Sequence, residues 1–435
     1  MESKNYDAVI IGAGLSGLVC AYTLSSYGVK CCLIEKSAVA GGGNQSFTND
    51  TGDIFDSGYH ALDYMRSPVT TNLFKKVLND EYYEYTLNRG LVMNGEVFPY
   101  NLPIDKWPND IVSLSSVSDV DEISGEITKE KLSSVYGKDF VDYCFDNVLA
   151  SYPSELRAIK EGRPVSSSIG VVYPWFFPNI KKIEDVNASE WASYHGQMRN
   201  KKQTVLYPKN QGFYGFIDGL LNAIDKKYCD VFLGCDDIDI TLDGNKQCTG
   251  VKAKGFNINA SDYFWCAPFF GLAGMLGLSM PKGVGQTLVL GSFKFNGNLK
   301  NKYQEILVGD KNFKINRISF PGLIRSEANN LIQVEFLFPT DEIDMTKNQW
   351  MDHWLGCLSK LGLTEGFDIS SFRFDIQQKG MVTKDPLDKI SKDYAQRIGD
   401  SGTNIMIPSV NAGPENINRI VPSVIENTMK YILNK

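Results

Sequence analysis

The glycines near the N-terminus are the residues whose spacing first suggests chemistry. Asp7 to Asn44 reads DAVIIGAGLSGLVCAYTLSSYGVKCCLIEKSAVAGGGN, with Gly12, Gly14 and Gly17 in a GxGxxG pattern. An apolar run, Ala8 to Ile11, precedes them; Leu18 to Tyr27 has the texture of a helix; a second apolar run, Cys31 to Ile34, ends at Glu35. A βαβ dinucleotide site needs that order. Gly12 turns the chain tightly, Gly14 lets the backbone approach a pyrophosphate, and Gly17 lets helix and strand pack closely. Leu15 and Ser16 lie in the glycine turn ahead of the helix, whose free N–H groups and positive dipole end attract phosphate oxygens. Glu35, about twenty residues on, is placed to accept a ribose hydroxyl and to repel a 2′-phosphate. Lys36 follows it, and Gly41, Gly42, Gly43 and Asn44 form a second glycine cluster that a nicotinamide site does not need.

Further along, single residues carry two readings each. His60, in FDSGYH after Tyr59, can satisfy a buried hydrogen bond or serve a reaction. Arg317 lies in an alternating, otherwise apolar strand, where a charge is costly unless it is paired or reaches a pocket. Arg199 is either a solvated charge or a diphosphate contact. Tyr173 and Trp175 belong to an aromatic cluster between prolines that packs a core or stacks on a base or sugar. Tyr207 is undecided in the same way. Asn416 starts the last helix, followed by Ile417 and Asn418, and the N-cap role alone explains it.

The elements that must position these residues form several units. A chain of 435 residues exceeds one small core and suits two or three domains. The net charge of −7 argues against a nucleic-acid backbone as partner and leaves room for a local basic pocket that takes a small-molecule substrate bearing phosphate. Nine cysteines without a CxxC fit buried thiols in a reducing cytosol, and three scattered histidines give no metal spacing, so no metal is expected. The N-terminus lacks the charged-then-apolar layout of a signal peptide. Tyr263 to Met280 has no charged residue but reads as a buried strand running into a helix, so no stable membrane insertion is expected and the protein is read as cytoplasmic. Leu87 to Tyr100 alternates around Asn94-Gly95, a hairpin signal, residues 105–165 have helical spacing, and residues 284–340 are strand-like. The expected fold is α/β: a discontinuous Rossmann-like domain (1–75, 205–283 and 380–435), a hairpin plus helical substrate module (76–204), and an antiparallel β-sheet substrate domain (284–379).

The E-K-x(5)-G-G-G-N stretch is similar to the extended fingerprint of FAD-containing proteins of the glutathione-reductase type, which implies FAD as the cofactor. FDSGYH, NGEVFPYNLPID, LYPKNQGFYGFIDGL, INRISF and NAGPENINRIVPSVIENTM resemble segments of UDP-galactopyranose mutases and, more distantly, of the protoporphyrinogen-oxidase and amine-oxidase group. The resemblance puts Tyr59 and His60 against the flavin and Arg317 at the flavin and the substrate diphosphate. It also places Gly413, Asn416, Ile417 and Asn418 beside the flavin ring, so that FAD is held from both ends of the chain. It implies an FAD-dependent enzyme acting on a nucleotide-activated sugar in polysaccharide biosynthesis, interconverting pyranose and furanose rings through reduced flavin. A net FAD-dependent oxidoreductase, taking hydride from a sugar, amine or C–C bond, is the alternative, and a non-catalytic flavin-stabilised scaffold a third. Ile407-Pro408-Ser409 stands where the mutases carry Gly-Arg, and the tyrosine pair that follows is absent. These departures bear on the substrate rather than on the flavin seat.

Overall fold

The computed structural model describes residues 2–64, 66–100, 108–114, 120–124, 128–163, 165, 180–184, 203–297, 299, 301–325, 330–342, 345–364, 368–383, 387–409 and 417–435, with only the backbone at 112, 120–124, 180–184 and 387–388. β1 (Glu2–Ile11) begins well before the apolar run, and only its Ala8–Ile11 end is buried. α1 (Leu15–Ser26) has no side chain capping its N-terminus. β2 (Cys31–Ile34) is buried throughout, as an apolar parallel strand requires. Three short strands follow, β3 (Ser46–Thr48), β4 (Ile54–Asp56) and β5 (Leu62–Asp63). Ser67 accepts the Thr70 N–H and Pro68 takes the first helical position, which starts α2 (Pro68–Leu78). After β6 (Tyr82–Leu87) comes the hairpin β7 (Arg89–Met93) and β8 (Glu96–Pro99). Its turn holds Asn94 at φ 51° and Gly95 at φ 78°, the two positive values a type I′ turn needs.

The next region is helical but broken. α3 (Asn109–Val112) and β9 (Val120–Ser124) precede α4 (Lys129–Tyr136) and α5 (Lys138–Tyr143), which are separated at Gly137 with φ 88°. A π turn at Cys144–Val148 and a 3₁₀ turn at Leu149–Ser151 lead into α6 (Pro153–Lys160), and β10 (Ile180–Glu184) pairs with β9. The chain then re-enters the nucleotide domain through β11 (Gln203–Pro208), α7 (Tyr214–Ala223), β12 (Cys229–Phe232), β13 (Asp239–Leu242), β14 (Cys248–Ala253) and β15 (Phe256–Trp265). The uncharged stretch from Tyr263 is the buried end of β15 running into the short helix α8 (Phe269–Met275). Among the described residues, no helix is long and apolar enough to cross a membrane. The remaining elements are β16 (Gly283–Phe295), β17 (Glu305–Val308), β18 (Arg317–Ser319), β19 (Leu331–Pro339), α9 (Lys347–Lys360), β20 (Ile369–Thr383), α10 (Leu387–Asp400), β21 (Ile405–Met406) and α11 (Ile417–Leu433).

Two seven-stranded sheets organise these elements. The nucleotide sheet runs β12-β2-β1-β15-β14-β13, with β21 beside β15. β1 is parallel to both β2 and β15, so the fingerprint loop leaves the centre of the sheet. α1 and α11 bury Leu18, Val19, Val421 and Val424 in one core, which joins the two ends of the chain. The larger sheet runs β20-β16-β19-β18-β17-β7-β8. Its pairings are antiparallel except β17 with β7, and that parallel pair seats the 89–99 hairpin at the edge of a sheet otherwise built from residues 283–383.

Period-2 alternation gives the larger sheet two unlike faces. One is apolar: Val289, Phe293, Ile318, Val334 and Phe336 pack under Trp350 and Trp354 of α9. The fit there is close enough that a Cβ on Gly291 would lie 2.4 Å from the Trp354 ring. The other face carries Arg89, Glu305, Arg317, Ser319, Gln333 and Glu335. The strand registers set Glu305 opposite Arg89 and Ser319, Ser319 opposite Gln333, and Arg317 opposite Glu335.

Candidate functional site

The fingerprint glycines divide by what needs them. Gly12 turns at φ 100°, and Gly17 lies so close to that turn that a Cβ would fall 1.8 Å from the Gly12 carbonyl oxygen. Those two glycines are required by the protein's own packing. A Cβ on Gly14 or Gly43 would meet nothing within 4 Å. Both line a cavity of about 1130 Å³ that also takes in Gly12, Ser16, Glu35, Lys36 and Gly42. Bare backbone facing empty space is what a pyrophosphate needs for close approach, and the uncapped α1 N-terminus supplies donors beside it. The volume exceeds the roughly 300–1,000 Å³ usual for a drug-sized ligand and suits a dinucleotide. Ile407, Ser409 and Ile420 from the tail line the same cavity, so it is built from both ends of the chain.

Hydrogen bonds fix the cradle. The Gly41 N–H donates to the Ala13 carbonyl at 2.8 Å, which draws the second glycine cluster onto the first, and the Asn44 N–H closes the turn on the Gly41 carbonyl at 3.0 Å. Glu35 accepts the Ala13 N–H through Oε2 at 2.7 Å and the Ser37 N–H through Oε1 at 2.9 Å. A carboxylate has about four lone-pair sites, so positions remain for ribose hydroxyls. The loop-organising role of Glu35 is an addition to the sequence reading. Leu15 points its side chain into the core and contributes to the cradle only through its backbone, and the Lys36 side chain is exposed. Ile417 and Asn418 open α11, with Asn418 buried. These residues fit FAD.

A second, narrower recess of 20 Å³ gathers Asp56, Tyr59, His60, Tyr207, Ser319, Arg325 and Gln333. Three of the sequence candidates, Tyr59, His60 and Tyr207, therefore meet. The His60 ring stacks on Phe213 with centroids 5.2 Å apart, and its Nδ1 lies 2.8 Å from the Gly58 carbonyl oxygen. A carbonyl only accepts, which assigns the proton to Nδ1 and leaves Nε2 of the neutral ring as an acceptor. Burial lowers the His60 pKa below 6.5, outweighing the opposing pull of Asp56 and Glu335. Tyr207 donates its hydroxyl to Asp56 Oδ2 at 2.7 Å, and burial raises its pKa well above the ordinary phenol range.

The polar sheet face borders this recess. Arg317 Nη1 is 3.2 Å from Glu335 Oε1, Arg317 Nε is 3.9 Å from Glu305 Oε1, and Arg89 Nε is 3.0 Å from the same Glu305 oxygen. The Arg317 guanidinium also stands 5.3 Å from the Tyr59 ring centre. Burial opposes the Arg317 charge, but Glu335 and Glu305 outweigh it and raise the pKa further. The two arginines and two glutamates cancel in charge, and an anion at Arg317 would compete with both carboxylates. Even so, Glu305 Oε2, Arg317 Nε, Ser319 Oγ and Arg325 Nε are buried without a hydrogen bond, and Glu335 Oε1 has only its ion pair with Arg317. Such a concentration of unfilled donors and acceptors is uncommon in a folded interior.

Tyr173, Trp175, Arg199, Gly413 and Asn416 lie outside the described residues. Sequence reasoning missed Asp56, Arg89, Glu305, Arg325 and Glu335. Asp56 was in view, four residues before His60, and Glu335 broke the apolar run NLIQVEFLF two places after Gln333. That spacing placed both polar groups on one strand face. All nine cysteines are free thiols, eight of them buried. Among the described residues, no group of three histidines, cysteines or acids is close enough to hold a metal.

Residues 10–77 match the family model of an NAD(P)-binding Rossmann-like domain. The chain is 28% identical over 255 residues to the mitochondrial protoporphyrinogen oxidase of Nicotiana tabacum, which covers 52% of this chain and 48% of that one. Matches to four further curated relatives cover 12–17% of those proteins. Among solved structures, reduced UDP-galactopyranose mutase superposes with a TM-score of 0.71 at 14% identity, covering 99% of this chain and 96% of that one. Putrescine oxidase does so with a TM-score of 0.60 at 12% identity, covering 99% and 100%. The fold is therefore the one expected, that of FAD-dependent oxidoreductases and the mutase.

Two outcomes follow from this geometry. Gly14→Ala, at φ −70° with open space around it, is expected to melt within about 0.5 kcal/mol of the parent yet to lose bound FAD. Gly17→Ala is expected to cost about 1–3 kcal/mol as well. Melting curves and flavin absorbance per chain check both. The second outcome concerns pH. Because the folded His60 pKa lies below the unfolded value, the unfolded chain binds the extra proton first, and stability falls as pH drops below about 6.5. Urea midpoints at pH 7.5 and 5.5 should differ more in the parent than in His60→Gln.

Proposed function

We propose that this chain is an FAD-dependent enzyme that acts on a hydroxyl-rich small molecule, in its finer form a nucleotide-activated sugar used in polysaccharide assembly. The observation that carries the reading is the cluster of buried, unfilled polar atoms on the sheet face beside His60. Glu305 Oε2 can accept a hydrogen bond from a hydroxyl, while Arg317 Nε and the Ser319 hydroxyl can donate one. A polyol satisfies both kinds at once, and an apolar substrate satisfies neither.

The cradle of Gly12, Gly14, Ser16, Glu35, Gly42 and Gly43 would hold the cofactor, with Ile417 and Asn418 at the tail side. Bound FAD supplies either hydride acceptance or, when reduced, a nucleophile for a sugar carbon. His60 would take or return a substrate hydroxyl proton at Nε2, since Nδ1 is held by the Gly58 carbonyl. Arg89 and Arg317 orient the Glu305 and Glu335 carboxylates through their ion pairs at 3.0 and 3.2 Å.

A second reading, net oxidation of a hydroxylated substrate that carries no diphosphate, is favoured by one observation. Arg317, which the resemblance assigns to a diphosphate, already has two carboxylate neighbours. An anaerobic experiment separates the two readings. Chemically reduced and oxidised protein are each incubated with UDP- and dTDP-sugars, and ring isomers and flavin absorbance are followed. Ring isomers formed only by reduced protein support the mutase reading, with His60→Gln slower by about 10²-fold or more. Bleaching of oxidised flavin by the sugar overturns it in favour of oxidation, and inertness of both forms contradicts a nucleotide-sugar substrate.

A further inference from the structure

Arg325 is 5% exposed and lines the recess shared by His60 and Tyr207. Its Nη2 donates to the Ile54 carbonyl at 2.7 Å, and its guanidinium carbon stands 5.9 Å from the Tyr207 ring centre. Its Nε has no hydrogen-bond partner. Arg89 and Arg317 each have a glutamate within 3.2 Å, whereas among the described residues no carboxylate forms an ion pair with Arg325. The acid nearest to it through Tyr207 is Asp56, and that carboxylate is already engaged by the Ser46 hydroxyl, the Tyr207 hydroxyl and the Phe213 N–H. A guanidinium offers five donors, and burying one with a single hydrogen bond is costly. Ser319, on the same recess, has a buried hydroxyl that is also unpartnered.

We propose that Arg325, with the Ser319 hydroxyl, anchors an oxyanion of the substrate, either a carboxylate or a phosphate. The free space of 20 Å³ is room for about one water molecule, which is also the size of one oxyanion oxygen. The recess thus takes the head of an anion whose body extends outward, past His60. An oxyanion completes the guanidinium with charge-assisted hydrogen bonds that water supplies only weakly. The neutral Arg89–Glu305–Arg317–Glu335 cluster leaves recognition of negative charge to Arg325. This inference rests on the preceding reading in one respect, that the recess seats the substrate.

The test is isothermal titration of FAD-loaded protein with inorganic pyrophosphate and, in parallel, with citrate. Binding by the first or the second distinguishes phosphate from carboxylate as the source. The parent protein should bind one of them, Arg325→Gln at least about tenfold more weakly, and Arg325→Lys in between. Ser319→Ala should weaken the same anion to a smaller extent. Equal affinity in Arg325→Gln, or no binding of either anion to the parent, overturns the proposal and leaves the recess a water site. If Arg325→Gln fails to retain FAD, Ser319→Ala decides: unchanged affinity overturns the assignment and weakened affinity supports it. Arg325-dependent anion binding without any sugar turnover would sink the functional reading alone; turnover with Arg325-independent binding would sink this inference alone.

Discussion

The structure depends on one buried carboxylate. Asp56 is 8% exposed and ends β4. Its Oδ1 accepts the Ser46 hydroxyl from β3 and the Phe213 N–H at the start of α7, and its Oδ2 accepts the Tyr207 hydroxyl from β11. Its backbone carbonyl accepts from Gln333 Nε2 at 2.7 Å, on β19 of the larger sheet. One residue thereby ties β3, β11, the start of α7 and the larger sheet together. Three donors on a buried carboxylate offset its desolvation, and losing any one would leave charge unmatched in a low-dielectric interior. Gly212 beside it has no room for a side chain, since a Cβ would lie 2.6 Å from both Asp56 Oδ1 and Ser46 Oγ.

That joint sets what each side can do. On the nucleotide side, packing accounts for Gly12 and Gly17, while Gly14 and Gly43 stay bare where only a ligand would approach. On the sheet side, strand registers align alternating charges into a neutral ladder facing His60. A buried ion-pair ladder is a weak source of stability because desolvation consumes most of the Coulomb gain. It holds oriented donors and acceptors, some of them without a hydrogen bond, on the sheet face whose Ser319 and Gln333 line the recess.

Local constraints were legible in the sequence and distant ones were not. The βαβ order, the Asn94-Gly95 hairpin, the Ser67-Pro68 helix start and the final helix from Ile417 each depend on residues within a few positions of one another. Arg317 was recognisable as a charge needing a partner, but the partner came from register: Glu335 is eighteen residues away and Glu305 is on the strand before. Arg325 carries no local signal, because what distinguishes it, the lack of an ion-paired carboxylate among the described residues, arises only in the folded chain. β20 and α10 escaped notice for another reason. β20 alternates polar residues on an exposed edge, so the apolar run that marks a strand is missing. The hairpin was read with the helical module because it adjoins it in sequence, whereas its parallel pairing to β17 places it on the larger sheet.

Residues from both ends of the chain line one cavity that fits FAD. The absorbance spectrum of protein purified from cells, with chromatography of the cofactor released on denaturation, tests that fit most directly. A flavin spectrum with one FAD per chain is expected. A colourless protein that takes up no FAD, or one that binds NAD or NADP in its place, would contradict it.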